Sequence, residues 1–332
     1  MLDTLQHPSR LVHGQAPATP RWHDARHELR AGLQATPPRV APKFLYDAHG
    51  CELYEAICEL PEYYLPRVER AILDRHQAAM LRLLPEGAEL IDIGSGDGLK
   101  ARRWLDAGII ERYIGIDIAE DWLRDCLRRG QQHYPDVRFD GIVTDLCWGL
   151  QLPLAREADR PRIFCYPGSS IGNFEPHDAV TLLRQFRDQM RAGDALLLAV
   201  DGPTGHARME RAYDDAAGVT AAFDLNVLNV VNRQLGTAID PGAFRHQAVF
   251  DADASRIEMH LVASRALAVT LGPAQTLRLQ PGEYIVTEHS YKHSPERVEQ
   301  MLRSAGFEQV RRFDIEHEAY GVYLAGGEHA RH

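Results

Sequence analysis

The chain has 332 residues, 45% of them hydrophobic, and a formal net charge of −10, enough length to bury a sizeable core in one large or two modest domains. That charge comes with no cluster of Lys and Arg, which argues against a nucleic-acid surface and favours a small-molecule partner. Residues 1–8 lack an apolar signal-like stretch and the longest apolar run, 195–200, is too short to span a bilayer, so a soluble, cytoplasmic protein without a membrane partner is expected.

In chain order, residues 1–40 carry Pro8, Pro17, Pro20, Pro37 and Pro38 among polar residues, the composition of a loosely held arm, with a short amphipathic candidate helix over 22–33. From residue 90 the pattern alternates regularly. Strands are predicted at 90–93, 113–117, 138–143, 162–166 and 195–201 with helical stretches between them, an α/β, doubly wound, Rossmann-like sheet. After Asp201 the rhythm breaks: 207–235 reads as one helix, with Ala212, Ala216, Val219, Ala222 and Phe223 at helical spacing, followed by strands at 244–250, 256–264 and 277–279. The block 206–290 is therefore expected to be an inserted α+β substrate-binding domain, with 41–205 and 291–332 forming the parent domain. The parent pattern resumes at Ser294-Pro295, a helix N-cap and first-turn proline; Gly306 stops that helix and strands follow at 309–314 and 320–325.

The most informative segment is Ala88-Glu-Leu-Ile-Asp-Ile-Gly-Ser-Gly-Asp-Gly98, a buried strand running into a glycine-rich turn. Such a βα junction lets backbone approach a ligand at a helix end. A dinucleotide loop requires G-x-G-x-x-G, whereas Asp92, Gly94, Gly96 and Gly98 spell D-x-G-x-G-x-G, with Leu99 where the third glycine would fall. This resembles the S-adenosylmethionine loop of class I methyltransferases, whose ligand has no pyrophosphate to cradle and carries a cationic sulfonium suited to acidic surroundings. Asp117 ends the next strand about 20 residues past the last glycine, where an acid meets ribose hydroxyls, and Asp145 closes a third run. A tight turn with no ligand is the alternative reading of the loop alone.

Three further clusters carry chemistry. Tyr166-Pro-Gly-Ser-Ser-Ile-Gly-Asn173 follows the fourth strand; Asn173 can accept an amine N–H through its side-chain oxygen and donate to a carboxylate through its amide, or the segment simply makes a turn. Glu288 and Ser290 fall on one face of a predicted strand, a carboxylate beside a hydroxyl that can bind a ring with two nitrogens, or an ordinary solvated face. Tyr46, Tyr63 and Tyr213 can wall in a cation or a flat ring or pack in the core. No strong dedicated base is evident, which leaves solvent or a neighbouring Tyr to take a proton. Cys51, Cys58, Cys126, Cys147 and Cys165 are scattered and read as reduced thiols; the 16 histidines include no H-E-x-x-H, and no metal is expected.

Lys-Phe-Leu-Tyr46-Asp, Leu-Pro-Glu-Tyr63-Tyr, the glycine loop, Gly168-Ser-Ser-Ile-Gly-Asn173, Arg-Ala-Tyr213-Asp-Asp-Ala-Ala-Gly and Thr-Glu288-x-Ser290-x-Lys292 occur in this order. On these motifs the chain, from about residue 42 nearly to its end, resembles the histidine Nα-methyltransferases of ergothioneine biosynthesis. The resemblance implies a class I methyltransferase fold and three successive methyl transfers from S-adenosylmethionine to the α-amine of L-histidine, giving the trimethylated betaine. It implies that Gly94, Ser95, Gly96, Lys100, Asp117 and Asp145 hold the cofactor. Tyr63 would lie near the methyl, Tyr46, Gly168, Asn173 and Tyr213 would take the amine and carboxylate, and Met259, Glu288 and Ser290 would surround the imidazole; Asn173, Tyr63 and Tyr46 form the implied catalytic set. Tyr54 stands where an aromatic such as Phe is usual, Leu146 follows Asp145 where an aromatic is common, and Arg312-Phe313-Asp314-Ile315 lacks an expected tryptophan; these departures touch cofactor stacking and fold edges. A monomer is expected. An enzyme acting on another amino acid or imidazole amine, a non-catalytic S-adenosylmethionine-binding module and a dehydrogenase remain as competing readings.

Overall fold

The computed structural model describes residues 10–14, 24–157, 159–273 and 275–326. Its first half contains β1 (Arg10–His13), α1 (Ala25–Leu33), α2 (Ala48–Cys58), α3 (Leu65–Leu81), β2 (Ala88–Ile93), α4 (Arg102–Asp106), β3 (Ile110–Asp117), α5 (Glu120–His133), β4 (Arg138–Val143), β5 (Arg162–Tyr166), α6 (Pro176–Asp188) and β6 (Ala195–Val200). Then come α7 (His206–Tyr213), α8 (Val219–Leu235), β7 (Phe244–Asp251), β8 (Arg256–Ala263), β9 (Leu267–Gly272), β10 (Gln275–Leu279), β11 (Tyr284–Tyr291), α9 (Pro295–Ser304), β12 (Val310–Phe313) and β13 (Gly321–Gly326).

Eight strands form the main sheet in the order β1-β4-β3-β2-β5-β6-β13-β12. The first six run parallel, and β13 is antiparallel to both its neighbours. Helices cover both faces, so β2 and β6 are buried at every position, which is why they read as continuous apolar runs. Side chains then alternate between two cores: Leu90 joins one, Ile91 and Ile93 the other. The strand order reverses between β2 and β5, and the crevice beyond their carboxyl ends is where an open α/β sheet binds its ligand. At the opposite end of these strands Arg112 pairs with Glu89 at 2.7 Å and Asp140 at 2.6 Å, and Arg162 reaches Glu89 at 2.6 Å.

Residues 206–291 make no strand of this sheet; they supply α7, α8, a three-stranded sheet ordered β11-β8-β7 and the hairpin β9-β10. The helix expected over 207–235 is two helices. Asp215 accepts from the amides of Thr220 at 2.7 Å and Val219 at 3.1 Å, satisfying first-turn donors of α8, while Gly218 takes φ +75°; an unbroken helix would have paired those amides internally. Strand β9 was not anticipated, although Leu267, Val269 and Leu271 alternate, because it pairs only with β10.

The N-terminal segment is tied down more firmly than its composition suggests. Arg10–His13 adds a parallel edge strand to β4, α1 buries Leu29 and Leu33, and Arg39 bridges to Val286 of β11. Helices α1 and α2 pack on α8. No described helix is long and apolar enough to cross a membrane.

Candidate active site

The cofactor residues implied by sequence sit on neighbouring strand ends. Gly94 and Gly96 adopt φ +68° and +53°, and a Cβ added at either would meet nothing within 4 Å; the turn needs glycine for its backbone and presents it to open space. Gly98 is different, since a Cβ there would come within 2.6 Å of Cys126 Sγ. Asp117, ending β3, accepts from the Gly96 amide at 2.9 Å through Oδ2 and from the Ala119 amide at 2.9 Å through Oδ1, so it braces the loop as well as facing it. Asp92, two residues before Gly94, accepts from the Tyr113 hydroxyl at 2.9 Å; burial pushes its carboxyl up to about 7 against that hydrogen bond. The Ser95 hydroxyl is buried without a partner. Asp145 binds the Lys43 ammonium at 2.6 Å and the Cys147 amide at 2.9 Å, which ties the end of β4 to the segment before α2.

Lys100 lies between two loops. Its ammonium is 3.3 Å from Glu69, and a Cβ on Gly168 would approach it to 2.8 Å. Desolvation works against its charge, yet Glu69 holds its pKa above the ordinary lysine value. Glu69 itself is 3% exposed, accepts from the Gly168 amide at 2.7 Å and bonds the Tyr320 hydroxyl. This one carboxylate on α3 therefore joins the glycine-loop lysine to the loop after β5.

Beside that loop opens a cavity. It brings together Tyr46, Tyr63, Gly168, Asn173, Tyr213, Met259, Glu288 and Ser290, residues drawn from distant parts of the chain; Gly94, Ser95, Gly96, Lys100, Asp117 and Asp145 are not in its lining. The helix break after Tyr213 is what lets α7 and α8 both contribute, through Tyr213 and Phe223. On β11 the ladder to β8 slips at Val286/Glu288, after which Glu288 pairs with Met259 and Ser290 with Ile257. Glu288 and Ser290 thus share a face, and Met259 stands beside the carboxylate.

Sequence reasoning missed part of the wall. Tyr54 and Phe223 line the cavity with Ser170 and Thr220. Tyr46 meets Tyr54 and Phe223 edge-on at ring separations of 5.5 and 5.6 Å, and Tyr63 meets Tyr213 at 5.8 Å. Tyr54 therefore belongs to this aromatic wall; its helical spacing on α2 with Ile57 was the available signal. Burial, chiefly, drives the Tyr46, Tyr54 and Tyr63 phenols well above their usual range. The shift favours the neutral phenol, a hydrogen-bond donor with an apolar ring face.

Glu288 is 8% exposed, and burial pushes its carboxyl up to about 7, with Asp224 adding to the shift and Lys292 opposing it. Asp224 is itself paired to His246 at 2.7 Å, and the other ring nitrogen of His246 meets the Tyr213 carbonyl at 2.7 Å. Both ring nitrogens face acceptors, so His246 is held charged and its pKa is raised despite desolvation. Among the described residues no cluster of three His, Cys, Asp or Glu is arranged to hold a metal.

A family described as histidine-specific methyltransferase, SAM-dependent, matches residues 25–326. The chain belongs to this family. It is an S-adenosylmethionine-dependent methyltransferase with the class I α/β fold. Its relatives include the histidine N-alpha-methyltransferases of Mycolicibacterium smegmatis, 37% identical over 90% of this chain and 94% of that protein, and of Mycobacterium tuberculosis, 36% identical over 90% and 94%. Ergothioneine biosynthesis protein 1 of Neurospora crassa is 32% identical over 86% of this chain and 33% of its own length. The glycine loop fits S-adenosylmethionine: the backbone at Gly94 and Gly96 fronts open space, a strand-end carboxylate stands beside it, and Leu99 stands where the G-x-G-x-x-G motif of a pyrophosphate-binding loop needs glycine.

Proposed function

We propose that the protein methylates the α-amine of L-histidine three times, producing Nα,Nα,Nα-trimethylhistidine (hercynine) for ergothioneine biosynthesis. The observation that carries this reading is the pairing of Glu288 and Ser290 on one face of β11, inside a cavity walled by aromatic rings. A carboxylate and a hydroxyl side by side match the two nitrogens of an imidazole, and a site built to hydrogen-bond a ring rejects analogues lacking those groups by roughly 10⁴ to 10⁵. The relatives named for histidine Nα-methylation support the same substrate.

Bound S-adenosylmethionine supplies an electrophilic methyl group on a sulfonium. The residues proposed to hold it are Gly94, Ser95, Gly96, Lys100, Asp117 and Asp145. Asn173, beside Gly168 in the cavity lining, orients the amine by accepting an N–H, a positioning role in which errors of about 1 Å cost on the order of a hundredfold. Tyr46, Tyr63 and Tyr213 contribute donors and ring faces that favour the growing positive charge on nitrogen. Met259 fills the apolar side of the ring pocket. Residues 206–290 act as the substrate-binding unit against a methyltransferase unit of 41–205 and 291–332, and the protein is proposed to work as a cytoplasmic monomer with neither nucleic-acid nor membrane partners.

Incubation with methyl-labelled S-adenosylmethionine and each amino acid separately tests this. Mono-, di- and trimethylated histidine should accumulate in order. Labelling of another amino acid in preference to histidine overturns the substrate assignment.

A further inference from the structure

Lys292 is fully buried, and its ammonium has three partners for three protons: Asp201 at 3.0 Å, the Tyr213 hydroxyl at 2.8 Å and the Ser290 hydroxyl at 3.0 Å. An ammonium can only donate. Both hydroxyl oxygens are therefore forced to accept. They also lie 2.9 Å from each other, so one of their two protons is spent between them; the more acidic phenol donates and the alcohol accepts. Ser290 Oγ then receives two hydrogen bonds, both its lone pairs are filled, and its own O–H is the function left to face the cavity. Two residues along the strand stands Glu288, for whose carboxylate no hydrogen-bond partner lies among the described residues. The wall that reads the ring thus offers one donor and one acceptor.

We propose that Lys292 is a positioning residue that sets the polarity of the Tyr213–Ser290 pair and so makes the site select neutral imidazole over imidazolium. This rests on histidine being the substrate. A neutral imidazole has one N–H for Glu288 and one bare nitrogen for the Ser290 O–H. An imidazolium has two N–H groups, and the second would face that O–H proton to proton.

Other charges around the pair do not supply an alternative donor to it. Asp201 also accepts from Tyr64 at 2.7 Å, and the Arg208 guanidinium lies 4.1 Å over the Tyr64 ring. Asp224 and His246 are committed to each other, with the second His246 ring nitrogen on the Tyr213 carbonyl, Tyr63 packs edge-on against Tyr213, and His293 follows Lys292 in the chain with its pKa lowered to about 4 by burial. Glu288 titrates in the range of interest, so the test compares two ligands that need the same carboxylate.

Calorimetric dissociation constants are measured from pH 5.5 to 7.5 for histidine and for β-(1,2,4-triazol-3-yl)alanine, whose ring keeps one N–H for Glu288 and stays neutral throughout. Their ratio cancels the titration of the α-amine and of Glu288. With an imidazole pKa of about 6.5, the neutral fraction of histidine falls about tenfold over this range, and histidine affinity relative to the triazole should fall by the same factor. In Lys292→Met the Ser290 oxygen regains a lone pair that accepts N–H, and the ratio should flatten to within about twofold. Asp201→Asn/Lys292→Met, which removes the carboxylate that loss of the Lys292 ammonium would strand, is the variant to use if the single change does not fold. A flat ratio in the wild type, or a tenfold fall retained in a folded Lys292 variant, overturns the inference. Failure of histidine to bind the wild type at pH 7.5 is a separate result that rejects the substrate reading itself.

Discussion

Glu288→Gln preserves the shape of the ring-binding wall and removes a charge that the fold holds at a cost. The carboxyl titrates at about 7 in the folded chain against an ordinary 4.5, with burial as the main cause. An acid whose folded pKa lies above its unfolded value favours folding when protonated, so its penalty is absent below about pH 4.5, grows between 4.5 and 7, and is complete above 7. At 1.36 kcal/mol per pKa unit the full penalty is about 3 kcal/mol, reduced by whatever water enters the cavity. The Gln variant should therefore be more stable than the wild type by up to about 3 kcal/mol at pH 8 and equal to it at pH 4.5. It should at the same time bind histidine on the order of ten- to a hundredfold more weakly, having lost a charge-assisted hydrogen bond worth roughly 1.5–3 kcal/mol. Urea unfolding of both proteins at pH 8, 6 and 4.5 reads the first quantity and calorimetry the second. A variant no more stable at pH 8, or one whose advantage persists undiminished at pH 4.5, would refute the argument that burial strains this group.

Asp117→Ala should weaken S-adenosylmethionine binding both by removing an acceptor and by releasing the Gly96 amide it holds at 2.9 Å; charge-assisted hydrogen bonds of roughly 1.5–3 kcal/mol each are at stake, and unchanged calorimetric affinity would reject the cofactor assignment. Asn173→Ala should lower turnover on the order of a hundredfold while cofactor affinity is unchanged, and steady-state rates near wild type would remove its positioning role. Arg112→Met should cost about 1.5–3 kcal/mol, because it removes the charge-assisted hydrogen bonds that join Glu89 to Asp140 and leaves each fully buried carboxylate a single guanidinium, Arg162 and Arg138; denaturant midpoints measure this, and a loss under 1 kcal/mol would contradict it. Desolvation raises the Glu89 pKa, but hydrogen bonds from Arg162, the Glu157 amide and Arg112 outweigh it and lower the pKa, so Glu89 contributes stability present above about pH 4.5 that should be lost as the pH falls further, a contribution that should be smaller in the acid-unfolding profile of Arg112→Met.

The doubly wound sheet and the glycine turn were legible because they follow from local signals. Period, strand length and turn chemistry are properties of neighbouring residues, so 138–143 and 162–166 were read with the boundaries the strands have, and Ser294 caps α9 by accepting from the Arg297 amide. Same-face placement of Glu288 and Ser290 was legible for the same reason, since alternation resumes after the bulge. The break at Asp214–Gly218 was not, because a helical apolar pattern continues across it and only the Asp215 side chain, turned back onto the amides of α8, reveals the stop.

The sequence by itself determined which strand ends carry carboxylates and glycines, and the order of the motifs along the chain. Tertiary structure decided what those groups can do. The cavity gathers Tyr46, Asn173, Tyr213 and Ser290 across nearly 250 residues of chain. It enlists Tyr54 and Phe223 as wall, commits Lys43 to Asp145, and buries Lys292 against three acceptors. Desolvation and the count of donors against acceptors depend on everything packed around a group, and no window of neighbouring residues contains that sum.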